Sequence, residues 1–307
     1  MRTGSDRPTM QSRADEMIAR IGYNTASLPD RSLDEALGVG AALGLRCVEL
    51  LAFEGYRHTA GELAGRFFDR LGAPEREGLA RSVSGFDRVA VHAPFWDVVP
   101  FAPNPATREA SRSQLRRTLE VAGEIGAATV TTHVIPRVSR PLSDFRADVI
   151  AFYHELGEVA AGAGVTVTIE TGYPPEIDEF AQLVHEIAHP AVGANVDVGH
   201  LRALLSDDDR RPDAIAGAYN ALLVRHLRSL GDRVFHMHLH DVQAEGVRDH
   251  RECGTGIIDY AAVFALLFEA DYEGLMTFEL EEADAEGALQ RSIDVIAAAI
   301  RSAAADG

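Results

Sequence analysis

The fold class that the sequence predicts is α/β, a single (β/α)8 TIM barrel, and three observations support it. Short apolar runs alternate with longer amphipathic stretches along nearly the whole 307-residue chain. Alternating strands and helices are typical of a parallel sheet covered by helices, and eight repeats are the number that closes a barrel. No G-x-G-x-x-G motif follows the first strand, which disfavours an open, doubly wound nucleotide-binding sheet.

The predicted strands are short runs rich in β-branched and apolar residues. They are Arg20–Asn24, Arg46–Leu51, Arg88–Ala93, Ala128–Val134, Val165–Thr171, Gly193–Val198, Val234–Asp241 and Leu275–Leu280.

Amphipathic stretches follow these strands and predict helices. Ser32 and Glu35 form a capping box that starts the first of them, which ends at Gly44. Asp259 is predicted to cap a later helix. The other predicted helices are Gly61 to Leu71, Thr107 to Gly126, Ser143 to Gly164, Glu176 to His189, Asp213 to Gly231, Asp259 to Ala270 and Ala285 to Ile300.

Composition and charge restrict the partners of the chain. No linker rich in Pro, Gly and Ser divides it, so we expect one domain over residues 18–307 after a flexible N-terminal tail of residues 1–17. The 29 Lys and Arg against 47 Asp and Glu give a net charge of −18, which argues against nucleic acid and anionic membranes as partners. Neither a signal peptide nor a membrane-spanning run is recognisable, so we expect a cytoplasmic protein.

Ionisable residues occupy one face of most predicted strands. In Val234-Phe-His-Met-His-Leu-His240 the three imidazoles alternate with apolar residues, so they share the face that looks into the barrel. The same alternation places further ionisable side chains in the lumen, near the C-terminal strand ends where barrel active sites are assembled. These are Glu49, His92, His133, Glu170, Asp197 and Glu279.

Several carboxylates buried together require a cation, so the sequence predicts a metal site. Glu170, Asp197, His238 and Glu279 come from the four adjacent strands five to eight and are the predicted ligands. Three carboxylates and one imidazole suit a single divalent ion, with Mn²⁺ preferred and Mg²⁺, Co²⁺ or Zn²⁺ as alternatives.

Such a site suits chemistry on a sugar. Such an ion would bind a hydroxyl and the neighbouring carbonyl oxygen of a sugar and stabilise the ene-diolate between them. Glu170 and Glu279, expected on opposite sides of the ion, would remove a proton from carbon and return it. This is the chemistry of aldose–ketose isomerisation, or of epimerisation beside a ketone.

A series of motifs carries a family resemblance. It comprises His92-Ala-Pro, His133 at the end of the fourth strand, Glu170-Thr, Asp197-Val-Gly-His200, His236-Met-His238-Leu-His240-Asp241, Gly254-Thr-Gly256-Ile-Ile-Asp259 and Glu279. In this order and spacing the chain resembles the xylose isomerase-like barrels from Ile21 to about Ile300. That family includes sugar and sugar-phosphate isomerases and epimerases, and the endonuclease IV-type nucleases.

The resemblance implies roles for the predicted ligands. Glu170, Asp197, His238 and Glu279 match the metal ligands that the family shares, and the two glutamates also match the acid/base pair of its ketose 3-epimerases. His200 resembles the substrate-contacting histidine of a D-x-x-H motif; the alternative is that it orients Asp197.

Further residues are expected to contact a small sugar or related polyhydroxy ketone. His92 and His133 match histidines that hold a second zinc in the nucleases, but we expect them to line the sugar pocket here. Trp96 lies in an aromatic loop that is able to cover the apolar face of a sugar. Arg248 and His250, in the loop after the seventh strand, are the other predicted substrate contacts.

Two departures from the family patterns keep other functions open. The nucleases carry Asp-x-His where this chain reads Arg248-Asp249-His250, which disfavours a trinuclear zinc site. The ketose 3-epimerases usually carry an arginine where this chain has Ala244, so their sugar recognition does not transfer. The alternatives are an endonuclease IV-type zinc phosphodiesterase and a dehydratase of a cyclic hydroxy-ketone such as 3-dehydroshikimate. The resemblance also implies a homodimer or homotetramer.

Overall fold

Eight parallel strands form a closed barrel in the computed structural model, which describes residues 9–135 and 141–306. They are β1 (Ile21–Asn24), β2 (Cys47–Leu51), β3 (Arg88–His92), β4 (Thr129–Thr132), β5 (Thr166–Glu170), β6 (Val192–Asp197), β7 (Val234–Leu239) and β8 (Leu275–Phe278). Each strand pairs with the next along the chain, and β1 closes the barrel against β8, with Gly22 beside Thr277. The predicted (β/α)8 TIM barrel is therefore confirmed.

Helices cover the outside of the barrel. They are α1 (Met10–Ile18), α2 (Leu33–Ala42), α3 (Ala73–Val83), α4 (Pro105–Glu124), α5 (Arg146–Ala163), α6 (Ile177–Ile187), α7 (Ile215–Leu230), α8 (Tyr260–Glu269) and α9 (Ala285–Asp306). The predicted capping box is present, because the Ser32 hydroxyl accepts from the Glu35 N–H while the Glu35 carboxylate accepts from the Ser32 N–H. Asp259 caps α8 by accepting from the Ala262 N–H.

Alternation along each strand divides the core from the lumen. In β5, the side chains of Val167 and Ile169 join the hydrophobic core between the barrel and its helices. Thr168 and Glu170 point into the lumen, where the Thr168 hydroxyl donates to the Thr131 hydroxyl of β4 at 3.3 Å. The polar residues that the sequence places on one face of each strand thus converge inside the barrel.

The pairing register sets which lumen residues are neighbours. β5 and β6 place Glu170 beside Asn195. A register shift at Asn195 then brings Asp197 of β6 level with His238 of β7. The carboxyl ends of β5 to β7 therefore deliver their ionisable side chains to one height of the barrel.

The N-terminal segment differs from the sequence prediction. Residues 10–17, expected in a flexible tail, belong to α1, which Thr9 caps and which packs against α9. Ala14 and Met17 are buried there, and the Arg13 guanidinium donates to the Phe268 carbonyl. The apolar face of α1 is short, and the helix that buries it, α9, lies at the other end of the chain. Residues 1–8 lie outside the described residues.

The structure also corrects the prediction for the segment after β2. The predicted helix over Gly61 to Leu71 is wrong, because the chain there forms a short hairpin strand and then runs beside β2, with Gly65 bridging to Leu51. The helix begins instead at Ala73, where Pro74 occupies the first turn and the Glu75 carboxylate accepts from the Gly72 N–H. That start signal was readable in the sequence.

Two short hairpins extend from the C-terminal end of the barrel. One pairs Arg57–His58 with Gly61–Glu62, and the other pairs Asp241–Gln243 with Arg248–Arg251. The second hairpin places His250 at the barrel mouth, where the backbone N–H of His250 donates to His240 Nδ1. Among the described residues, no helix combines the length and the apolar character that a membrane crossing requires.

Candidate functional site

Three carboxylates surround one imidazole nitrogen at the C-terminal end of the barrel. His238 Nδ1 lies 2.7 Å from Glu279 Oε2, 3.5 Å from Glu170 Oε2 and 3.6 Å from Asp197 Oδ2. We call these four residues the central cluster. It joins the ends of β5 to β7 to the residue that directly follows β8.

The central cluster fits a divalent cation. His238 is fully buried, yet its Nδ1 has no hydrogen-bond partner with acceptable geometry among the described residues. Such an orphaned buried nitrogen is costly unless something binds it. Three carboxylates and one imidazole are a donor set that Mn²⁺, Mg²⁺ or Zn²⁺ accepts. Glu170, Asp197 and His238 bring ligand atoms within 4.8 Å of one another, as a shared ion requires.

The charges in the cluster depend on one another. Burial alone would raise the pKa of Glu170, but nearby His133 and His238 hold it well below its ordinary range. Burial would also raise the pKa of Asp197, but His200 and His240 hold that pKa well below its ordinary range. The carboxyls are therefore ionised at neutral pH, and positive charge between them is strongly stabilised.

His92 and His133 form a second group on Glu170. Their Nε2 atoms lie 3.2 and 3.3 Å from Glu170 Oε2 and 3.4 Å from each other. Burial lowers the pKa of His133 to about 4, so this imidazole is neutral at neutral pH. The ring of Phe95 lies 4.7 Å from that of His133.

His200 and His250 form a third group on the other side of the cluster. His200 Nδ1 donates to the Thr171 carbonyl at 3.0 Å and lies 3.2 Å from Glu170 Oε1. Burial opposes protonation of His200, but Asp197 and Glu170 raise its pKa to about 10. With Asp197, these two histidines place three ligand atoms within 4.8 Å.

Aromatic residues wall the cavity above these groups. Trp96 is 41% exposed, and its ring centroid lies 4.7 Å from those of Phe95 and Tyr56 and 5.7 Å from that of Phe53. The cavity has a volume of about 220 Å³. Its polar lining includes His92, His133, Glu170, His200, His250, Glu279 and Glu281. Such a mixture of apolar wall and polar floor is typical of a small-molecule site.

Most of the predicted site residues therefore lie in the central cluster or line the cavity above it, but Arg248 does neither. The Arg248 side chain is exposed and is absent from the cavity lining. The backbone of His250 has a φ of 56°, so the regular alternation of a strand is broken between these two residues. His250 therefore turns into the mouth while Arg248 stays in solvent. The predicted substrate contact from Arg248 is thus not supported by its position.

The sequence assigns no role to two further buried residues that contact the central cluster. Glu49 Oε2 lies 3.0 Å from His238 Nε2. His240 Nδ1 accepts from the backbone N–H of His250 at 2.9 Å, so the ring proton of His240 is on Nε2. Nε2 then donates to Asp197 Oδ1 at 3.0 Å. Strand alternation predicts that both point inward. It does not predict which residue each one meets.

Two curated relatives match parts of the chain. An uncharacterized protein of Methanocaldococcus jannaschii is 27% identical over 203 residues, which are 62% of this chain and 64% of that protein. An inosose dehydratase of Serratia proteamaculans is 29% identical over 152 residues, which are 42% of this chain and 46% of that enzyme. The chain thus matches less than two thirds of either relative.

Solved structures match over almost the full chain. A D-tagatose 3-epimerase-like protein has a TM-score of 0.68 at 21% identity, covering 90% of this chain and 98% of that one. L-ribulose 3-epimerase has a TM-score of 0.70 at 17% identity, covering 94% and 96%. A xylose isomerase-like barrel protein from Mycobacterium smegmatis, in complex with magnesium, has a TM-score of 0.70 at 17% identity, covering 97% and 99%. At these identities the likeness establishes the fold.

The family comparison extends this likeness to the sequence. The profile of the family described as "Xylose isomerase-like TIM barrel" matches residues 37–299. This range contains the central cluster and both histidine groups. The chain belongs to the xylose isomerase-like TIM barrel family.

Proposed function

We propose that the protein is a divalent-metal-dependent isomerase or epimerase of a sugar or sugar phosphate, in which Glu170 and Glu279 exchange a proton with substrate carbon. The observation that carries the proposal is the convergence of three carboxylates on His238 Nδ1 at the floor of a cavity walled by aromatic rings. The fold shared with L-ribulose 3-epimerase supports it.

The residues that would hold the ion are Glu170, Asp197, His238 and Glu279. When bound, a divalent ion would polarise the carbonyl and adjacent hydroxyl oxygens of the substrate, which acidifies the carbon-bound proton between them. We favour Mn²⁺, because oxygen ligands predominate and a single nitrogen is compatible with it. The magnesium complex of a structural neighbour supports a hard divalent ion in this fold.

Proton transfer and substrate binding are assigned to side chains of the protein. The Glu279 side chain is 20% exposed and lines the cavity, so its carboxylate is the one placed to take a proton from substrate carbon. Glu170 Oε2 lies 3.5 Å from the same His238 Nδ1, and this carboxylate is assigned the return of a proton to carbon. His92, His133 and His200 also line the cavity and are assigned the substrate hydroxyls.

The aromatic wall is assigned a separate role. Phe95 and Trp96 offer flat apolar surfaces to the C–H face of a sugar ring. They also keep water from the carbon that exchanges its proton, which protects a carbanion-like intermediate from quenching by solvent.

The test is proton exchange in deuterated water. The Mn²⁺-loaded protein is incubated with a panel of ketoses and ketose phosphates, and NMR follows both deuterium at carbon and the appearance of isomers. Glu279→Gln should abolish the exchange, because the amide cannot accept the proton. Glu281→Gln is the matched control, since Glu281 lines the same cavity but lies outside the central cluster. Exchange retained in Glu279→Gln would refute its role.

A dehydratase is a second candidate that one observation favours. The Serratia relative is an inosose dehydratase, and the same general base beside a carbonyl would eliminate water instead of returning the proton. The experiment above separates the two, because elimination removes a hydroxyl from the product. Inosose and 3-dehydroshikimate are therefore included in the panel.

A zinc phosphodiesterase is the third candidate. It is favoured by the His92–His133–Glu170 and Asp197–His200–His250 groups, either of which places three ligand atoms within 4.8 Å. The net charge of −18 argues against a DNA substrate. Elemental analysis decides between the candidates: one ion per chain supports the isomerase, whereas two or three zinc ions with cleavage of abasic-site DNA support the phosphodiesterase.

A further inference from the structure

We propose that Glu49 is a positioning residue for the central cluster: it holds the proton of His238 on Nε2, so that Nδ1 is the nitrogen offered to a cation. This inference rests on the proposed metal site. It assigns a role to a residue that touches neither the cavity nor the three carboxylates of the cluster.

The two ring nitrogens of His238 face opposite environments. Nε2 faces Glu49 Oε2 at 3.0 Å, whereas Nδ1 lies among Glu170, Asp197 and Glu279. An ionised carboxylate only accepts hydrogen bonds, so the hydrogen between His238 and Glu49 belongs to Nε2. Metal binding requires the neutral imidazole, which has one N–H, so a proton held on Nε2 leaves the Nδ1 lone pair for the ion.

Glu49 is itself held in place by donors. The Thr277 hydroxyl donates to Oε2 at 2.7 Å, and the Asn24 amide donates to the same oxygen at 3.2 Å. The orientation of that amide is fixed, because Asn24 Oδ1 accepts from the Ala26 N–H at 2.9 Å. All of these side chains are fully buried, apart from Ala26, which contributes only its backbone.

A purely structural role does not account for a carboxylate at this depth. Buried charge costs stability, and uncharged side chains of similar size fill a barrel core at lower cost. A role in orienting a metal-binding histidine does account for Glu49. Such histidines usually donate their second N–H to a carboxylate or carbonyl.

Asn195 offers the competing arrangement. Its Nδ2 lies 3.0 Å from the same His238 Nε2 and 3.4 Å from Glu170 Oε2. If that amide donated to Nε2, the His238 proton would be on Nδ1, among the carboxylates, and Glu49 would have no influence on the ligand nitrogen. The two arrangements therefore predict opposite proton positions.

The experiment compares Glu49→Met with Glu49→Gln and with Thr277→Val. Methionine removes the acceptor at similar volume, glutamine keeps a carbonyl oxygen for Nε2–H, and valine removes one donor to Glu49 but leaves the Glu49–His238 contact. Mn²⁺ affinity is measured by competition with a chelator. We expect Glu49→Met to weaken binding about 10- to 100-fold. Glu49→Gln should recover most of the affinity, and Thr277→Val, which leaves Asn24 as a donor to Glu49, should weaken binding less than Glu49→Met.

Two further readouts separate positioning from folding. The urea midpoint of metal-free Glu49→Met measures folding separately from metal binding, and it should fall, because the buried donors of Thr277, Asn24 and His238 lose their acceptor. In nitrogen-15 NMR spectra, wild type should show a hydrogen-bonded His238 Nε2–H that Glu49→Met loses. Unchanged Mn²⁺ affinity in Glu49→Met, or a wild-type spectrum without a proton on Nε2, would overturn the proposal.

The proposal remains testable if Glu49→Met does not fold or if wild type binds no metal. Should Glu49→Met not fold, the wild-type spectrum and the affinity of Glu49→Gln still test the proton position. Should wild type bind no metal, the metal-dependent function is refuted, while the His238 Nε2–H resonance continues to report on Glu49 alone.

Discussion

Replacing His226 by glutamine is expected to remove part of the acid sensitivity of the protein. His226 is buried in α7, where its Nε2 lies 3.0 Å from the Thr171 hydroxyl and its Nδ1 has no hydrogen-bond partner among the described residues. Burial lowers the pKa of His226 from its ordinary 6.5 to about 4. The folded protein therefore keeps this imidazole neutral at a pH where the unfolded chain protonates it.

The sign and size of the effect follow from this difference. Below pH 6.5 the unfolded chain binds a proton that the folded protein refuses until about pH 4, so stability falls as the pH drops through that window. Each pKa unit corresponds to about 1.4 kcal/mol, so His226 should remove about 2 kcal/mol between pH 7.5 and pH 5. Glutamine retains a partner for the Thr171 hydroxyl and does not titrate.

Urea unfolding of wild type and His226→Gln between pH 7.5 and pH 5 measures the effect. The free energy of unfolding should fall less steeply in the variant, by about 2 kcal/mol over the interval. Burial also lowers the pKa of His133 and His236 to about 4, so a residual slope should remain in both proteins. His185→Gln controls for the same substitution at an exposed site of α6. Parallel pH profiles for wild type and His226→Gln would refute the reasoning.

Two further substitutions test the positioning of Asp197 and the aromatic wall. A Cβ at Gly199 would lie 2.2 Å from His240 Cε1, so Gly199→Ala should push His240 from Asp197 and weaken Mn²⁺ binding about 10-fold or more. Gly217→Ala, where a Cβ meets nothing within 4 Å, is its control, and equal affinities in the two variants would contradict the prediction. Trp96→Ala should raise the KM of the active substrate on the order of 2- to 10-fold with a smaller change in kcat, by loss of stacking area. A selective loss of kcat instead would show that Trp96 acts on the chemical step.

The local pattern of residues is sufficient to predict the barrel and the inward face of its strands. Alternation is a local property of extended chain, so the positions of His238, Glu170 and Asp197 on the lumen face needed no knowledge of distant residues. The capping signals of α2 and α8 are equally local, and the structure confirms both. The start signal of α3 at Gly72, with Pro74 and Glu75, is equally local.

The contacts among the inward residues, and their depth in the barrel, depend on how the strands pair in three dimensions. Glu49 and His238 are 189 residues apart in the chain, and their contact across the lumen depends on the pairing register of the whole barrel. The register shift at Asn195 sets the height of Asp197, and the positive φ of His250 separates it from Arg248 at the barrel mouth. These contacts depend on closure of the sheet and on loop conformation, which no alternation of residues along one strand specifies.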